Sequence, residues 1–121
     1  MTERGSDSYM AKQCYIPVAR IEEVPEGQAR VFSVEGQEIV LCKVDGKIYA
    51  LANVCTHDGG PLGEGKLIGC EIECPRHGAR FDVRTGAVTR MPAAYPVQTY
   101  PVRIEDGAVM VQLPTEEQAS G

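Results

Sequence analysis

Both histidines of this 121-residue chain lie in one stretch, and each follows a cysteine at short spacing. The first group is Cys55-Thr56-His57; after sixteen intervening residues comes Cys74-Pro75-Arg76-His77. Two soft thiolates and two imidazoles, delivered by a pair of short loops, make a four-ligand metal site, and only a few metals accept that set. Residues i and i+2 of an extended segment point the same way, so Cys55 and His57 can reach a common centre from one loop. Cys74 and His77 do the same at i and i+3 from a tight turn, which Pro75 pre-sets and Gly78 releases.

The pattern CxH, sixteen residues, CxxH resembles the Rieske family, whose [2Fe-2S] cluster has two Cys on one iron and two His on the other. That resemblance implies one Rieske-type cluster held by Cys55, His57, Cys74 and His77, with no catalytic residue besides. It also gives a role to the glycine-dense run from Asp58 to Gly65, whose backbone amides would approach the bridging sulfides and donate hydrogen bonds to them. A structural zinc is the alternative, since Cys₂His₂ is a common zinc set. Zinc fingers, however, place paired cysteines before paired histidines on a ββα unit, whereas here each loop is mixed and no helix is expected to follow.

Three cysteines remain. Without an export signal a disulfide framework is not expected. Cys14 and Cys42 read as small buried hydrophobes, Cys42 within the strand-like run Glu38 to Val44. Cys70 stands four residues before Cys74 and could compete for metal, but the ligand set is complete without it.

Within the family, the Rieske proteins of cytochrome bc complexes carry a disulfide that clamps the two ligand loops. The corresponding positions here are Gly60 and Arg76, so no clamp is possible, and the membrane anchor of those proteins is missing too. High-potential members also have a Ser two residues after the second His and a Tyr four residues after it, where this chain has Ala79 and Phe81. The resemblance is therefore to a soluble, low-potential bacterial Rieske-type ferredoxin. Such a protein is an electron carrier and not an enzyme, taking one electron from a flavin- or iron–sulfur-containing reductase to a terminal ring-hydroxylating (di)oxygenase of aromatic catabolism. Both histidines are committed, so a 2-His-1-carboxylate iron centre cannot be built on this chain. Two rival readings are a Rieske-like small subunit of a nitrite-reductase-type complex and a zinc-stabilised binding module.

Composition agrees with a single small domain: 43% hydrophobic residues and 24% charged. The net charge of −5 argues against nucleic acid and for a partner with a basic face. Asp58, Glu64, Glu71 and Glu73 are placed to steer such a partner, with Arg76 as a lone positive contact at the tip. No apolar run approaches the roughly 20 residues of a membrane span, and residues 1–12 lack a signal core, so the expected location is the cytoplasm.

The elements that must position the ligands read as strands. Short apolar, β-branched runs cover Tyr15 to Ala19, Ala29 to Val34, Gln37 to Val44, Lys47 to Leu51, Ala79 to Val83, Ala87 to Thr89, Gln98 to Glu105 and Ala108 to Leu113. Glu35-Gly36, Asp45-Gly46 and Asp106-Gly107 are hairpin signals. No twelve residues carry a helical period. The sequence thus predicts an all-β domain over 14–113 between tails at 1–13 and 114–121. The resemblance makes it a Rieske fold, an antiparallel β-sandwich base with a small three-stranded cluster-binding subdomain at about 53–83.

Overall fold

The computed structural model describes residues 15–55, 60–75, 78–91 and 95–113. The tails expected at 1–13 and 114–121 lie outside the described residues, as does Cys14. Eleven strands follow in order: β1 (Ile16–Arg20), β2 (Ala29–Val34), β3 (Gln37–Val44), β4 (Lys47–Ala52), β5 (Lys66–Ile68), β6 (Glu71–Glu73), β7 (Arg80–Asp82), β8 (Val88–Arg90), β9 (Thr99–Tyr100), β10 (Val102–Glu105) and β11 (Ala108–Val111). They form three sheets, ordered β1-β11-β10, β2-β3-β4-β9 and β5-β6-β7-β8. Every pairing recorded is antiparallel. Among the described residues the only helical element is a 3-10 turn at Ile21–Glu23, so the all-β expectation holds.

Three hairpins close as the sequence demands. Glu35-Gly36, Asp45-Gly46 and Asp106-Gly107 all take positive φ at both positions, 50° and 82°, 53° and 79°, 52° and 78°. That backbone matches the twist of the flanking strands, which is why a two-residue turn suffices. Glu26 fastens the second of them, its carboxylate accepting the amides of Asp45 and Gly46 at 2.7 and 2.9 Å.

The apolar run in β3 explains the layering. Ile39, Val40, Leu41 and Cys42 are all fully buried, and a strand can bury consecutive residues only when both faces are covered. Ile39 and Leu41 join Val24, Tyr100, Val109 and Val111 in one core, against the three-stranded sheet. Val40, Cys42 and Val44 join Ile72, Phe81 and Val83 in the other, against the sheet that carries the second ligand loop. Each such side chain contributes roughly 1.5–3 kcal/mol on leaving water.

Two details differ from expectation. The continuous strand expected from Gln98 to Glu105 is cut at Pro101: Thr99 and Tyr100 pair with β4, while Val102 to Glu105 pair with β11. Proline has no amide to donate to a ladder, so the chain changes sheets there. The sheet of the ligand-bearing half has four strands and not three, because Val88–Arg90 returns antiparallel to β7. β5 and β6, a hairpin turning at Gly69 with φ 62°, were not foreseen at all.

Candidate metal centre

The second ligand loop is the tip of the β6–β7 hairpin. Ile72 pairs with Phe81 and Glu73 with Arg80; past them the Cys74 amide donates to the Ala79 carbonyl at 2.7 Å. The Gly78 amide donates back to the Cys74 carbonyl at 3.0 Å, and Gly78 takes φ 78° to make the return. Arg80 pins β6 from the facing strand, 3.5 Å from the Glu71 carboxylate and 3.3 Å from that of Glu73. Cys74 stands at the start of this turn. His77 itself, with Arg76, lies outside the described residues.

The first loop leaves the end of β4. The Cys55 amide donates to the Gly60 carbonyl at 2.8 Å. His57 and Asp58 lie outside the described residues. Asn53 spans the neck: its Oδ1 accepts the amides of Leu62 and Gly63 at 3.0 and 2.7 Å, and its Nδ2 donates to Glu38 at 2.9 Å.

Cys55 and Cys74 are 0% and 1% exposed, and both belong to the buried cluster that contains Leu62, Ile72, Ala79 and Phe81. Two thiols from separate segments, each buried away from water in the same apolar cluster, are of the type that binds a soft metal. The donor set therefore fits an iron–sulfur group on its sulfur side.

The described end of the glycine-dense run packs within the protein. The amides of Leu62 and Gly63 are taken by Asn53, and that of Gly65 by the Leu62 carbonyl at 3.0 Å. A β-carbon at Gly63 would overlap Val31, and one at Gly65 would overlap the Glu73 carbonyl. These glycines are there for close packing of the loop on β2 and β6, and their amides are spent within the protein.

The charge expectation also changes. Glu71 and Glu73 both lie within ion-pair distance of Arg80, which offsets part of their charge, whereas Glu64 is exposed. Of the other cysteines, Cys42 is fully buried and its thiol is pushed up to about 12 by desolvation. Cys70 is half-buried at the far end of β6 from Cys74, about 13 Å away at the rise of a strand, so it belongs to neither ligand loop. Its carbonyl accepts the Val83 amide at 2.8 Å.

The sequence reading missed Asn53 and Glu38. An Asn just past a strand end is a known acceptor for loop amides, but its partners stand nine and ten residues ahead and fifteen behind. No local pattern shows that.

The family description "Rieske [2Fe-2S] domain" matches residues 14–101. This chain belongs to the Rieske [2Fe-2S] family. Membership brings an iron–sulfur cofactor with it and sets the zinc reading aside. The ferredoxin component of the naphthalene 1,2-dioxygenase system of Pseudomonas aeruginosa is 44% identical over 99 residues, covering 82% of this chain and 95% of that relative. The ferredoxin of carbazole 1,9a-dioxygenase from Nocardioides aromaticivorans IC177 superposes with a TM-score of 0.78 at 35% identity, over 84% of this chain and 98% of that one. A chain in the complex of reduced oxygenase and oxidized ferredoxin in carbazole 1,9a-dioxygenase matches with a TM-score of 0.77 at 32% identity, over 83% of this chain and 94% of that one. The curated relative and the ferredoxin structure named here are ferredoxin components of dioxygenase systems, electron carriers and not the catalytic enzymes. Among the described residues no helix is long and apolar enough to cross a membrane.

Proposed function

We propose that this Rieske protein is the ferredoxin of a ring-hydroxylating oxygenase system. It would take one electron from a flavin- or iron–sulfur-containing reductase and deliver it to a terminal oxygenase, in the cytoplasm. The domain is 14–113, with about 53–83 as its cluster-binding part, and the ligands of a single [2Fe-2S] cluster are Cys55, His57, Cys74 and His77. The observation that carries the reading is the burial of Cys55 and Cys74 in one apolar cluster, at the mouths of the two loops that hold the histidines in sequence. The near-complete coverage of a ferredoxin component supports a carrier over a domain of a larger enzyme.

When bound, the cluster supplies a reversible one-electron couple whose potential follows ligand charge, hydrogen bonding and solvent exposure. The chain's own part is binding and exclusion of water. Cys55 and Cys74 would hold one iron from within the core, where Leu62, Ile72, Ala79 and Phe81 keep water from the sulfurs. His57 and His77 would hold the other. The Cys74–Ala79 and Cys55–Gly60 backbone hydrogen bonds fix the backbone beside each cysteine.

Coulometric titration of the purified holoprotein tests this. It should take up one electron per chain and return it to an oxidised ring-hydroxylating oxygenase, and Cys55→Ser should abolish the uptake. Uptake of no electron, or of two, would overturn the reading.

A further inference from the structure

We propose that Asn53 is a positioning residue for the iron–sulfur centre, clasping the neck of the first ligand loop and tying it to the β-sandwich base. The inference rests on the reading that Cys55 and His57 hold the cluster. Asn53 stands two residues before Cys55, and Leu62 two residues after Gly60, so its side chain joins the two strands of chain that enter and leave the loop. Both bonds to Oδ1 come from backbone amides, of Leu62 at 3.0 Å and Gly63 at 2.7 Å. Leu62 is fully buried and packs in the same cluster as Cys55 and Cys74, where an amide left without an acceptor is costly.

The other end of the side chain fixes its direction. Nδ2 donates to the Glu38 carboxylate at 2.9 Å, and the Asn53 amide donates to the Glu38 carbonyl at 3.3 Å. A carboxylate only accepts and an amide N–H only donates, so Oδ1 must face the loop and Nδ2 must face Glu38. Glu38 is the exposed residue of β3 that directly precedes the fully buried run Ile39 to Cys42, which makes the clasp a tie to the central strand of the base. Gly63 completes the fit: a β-carbon there would come within 3.1 Å of Oδ1.

This polarity allows a reciprocal exchange. Asn53→Asp keeps an oxygen for the two amides but loses the donor and sets two carboxylates against each other. Adding Glu38→Gln restores a hydrogen bond with donor and acceptor exchanged. Cluster release from the full-length holoprotein, challenged with a ferrous chelator under reducing conditions and followed by loss of visible absorbance, reads the effect. Asn53→Ala should shorten the half-time at least tenfold, Asn53→Asp about threefold, and the double variant should return to within twofold of wild type. The EPR lines of reduced Asn53→Ala should broaden, and those of the double variant should match wild type, a recovery that general loss of stability does not produce. Release from Asn53→Ala within twofold of wild type would overturn the inference. If Asn53→Ala does not accumulate, a double variant no slower than Asn53→Asp would overturn it. A wild-type chain that binds no cluster would overturn the underlying reading and this inference together.

Discussion

Ala79 and Phe81 are fully buried beside Cys55 and Cys74, where high-potential members of the family place hydroxyls. A hydrogen bond to a charged group contributes roughly 1.5–3 kcal/mol, but only the part that differs between redox states moves the potential. If that part is about 1 kcal/mol per hydroxyl, two missing hydroxyls lower a one-electron potential by on the order of 90 mV, since about 59 mV is a tenfold change. Ala79→Ser and Phe81→Tyr should each raise the potential in protein-film voltammetry, and the double variant should raise it most. No response to either would separate these side chains from the potential. Cys42 is the contrasting thiol of the same core. Burial favours its neutral form, raising its pKa to about 12 from an ordinary 9.0. This thiol leaves folding stability unchanged below about pH 9 and lowers it as pH rises towards 12, because the unfolded thiol ionises first. Iodoacetamide at pH 8.5 should therefore label Cys70 and spare Cys42 in the native protein, as peptide mass mapping would show. Equal labelling would contradict the burial argument. The burial of Cys42 was legible in the sequence because it stands in an apolar, strand-like run, and residue type and spacing alone bring the four proposed ligands forward. The Asn53 clasp was not legible, because its partners are set by how distant strands pack.

Among the elements, what could be read was what is local. Two-residue turns of Glu-Gly or Asp-Gly force positive φ, so the β2–β3, β3–β4 and β10–β11 hairpins were visible with β2 and β3 at their observed bounds. β5 and β6 were not. Each has three residues, too few for alternation to stand out, and the stretch reads as a ligand loop. Composition likewise shows that backbone approaches something closely in the glycine-dense run but not what it approaches. Gly65 approaches β6, so Gly65→Ala should push the Glu73 carbonyl away one residue before Cys74. Overpacking against backbone costs about 1–3 kcal/mol. The expected result is a lower unfolding midpoint in thermal denaturation of the holoprotein together with faster cluster release. An unchanged midpoint would show that the loop yields without strain.

Among the described residues the molecule is three sheets, and the central run of β3 is buried between two of the cores. Its net charge of −5 survives the pairing of Glu71 and Glu73 with Arg80, but those acids are partly neutralised and the exposed Glu64 is not. Charges beyond roughly 8 Å are screened at physiological salt. Electron transfer to a partner with a basic face should therefore slow as ionic strength rises in stopped-flow measurements, and Glu64→Gln should flatten that dependence more than Glu73→Gln. A rate independent of salt would remove long-range steering from the account.

The central claim is a cluster with two histidine ligands on a carrier of one electron, and pulsed EPR of the reduced holoprotein tests it most directly. One added electron leaves a spin-one-half cluster, and imidazole ligands must couple their nitrogens to that spin. The account predicts two distinct, directly coordinated histidine nitrogens, one of which disappears in His57→Cys and the other in His77→Cys. A paramagnetic cluster with no coordinated nitrogen, or no paramagnetic signal at all, would contradict it.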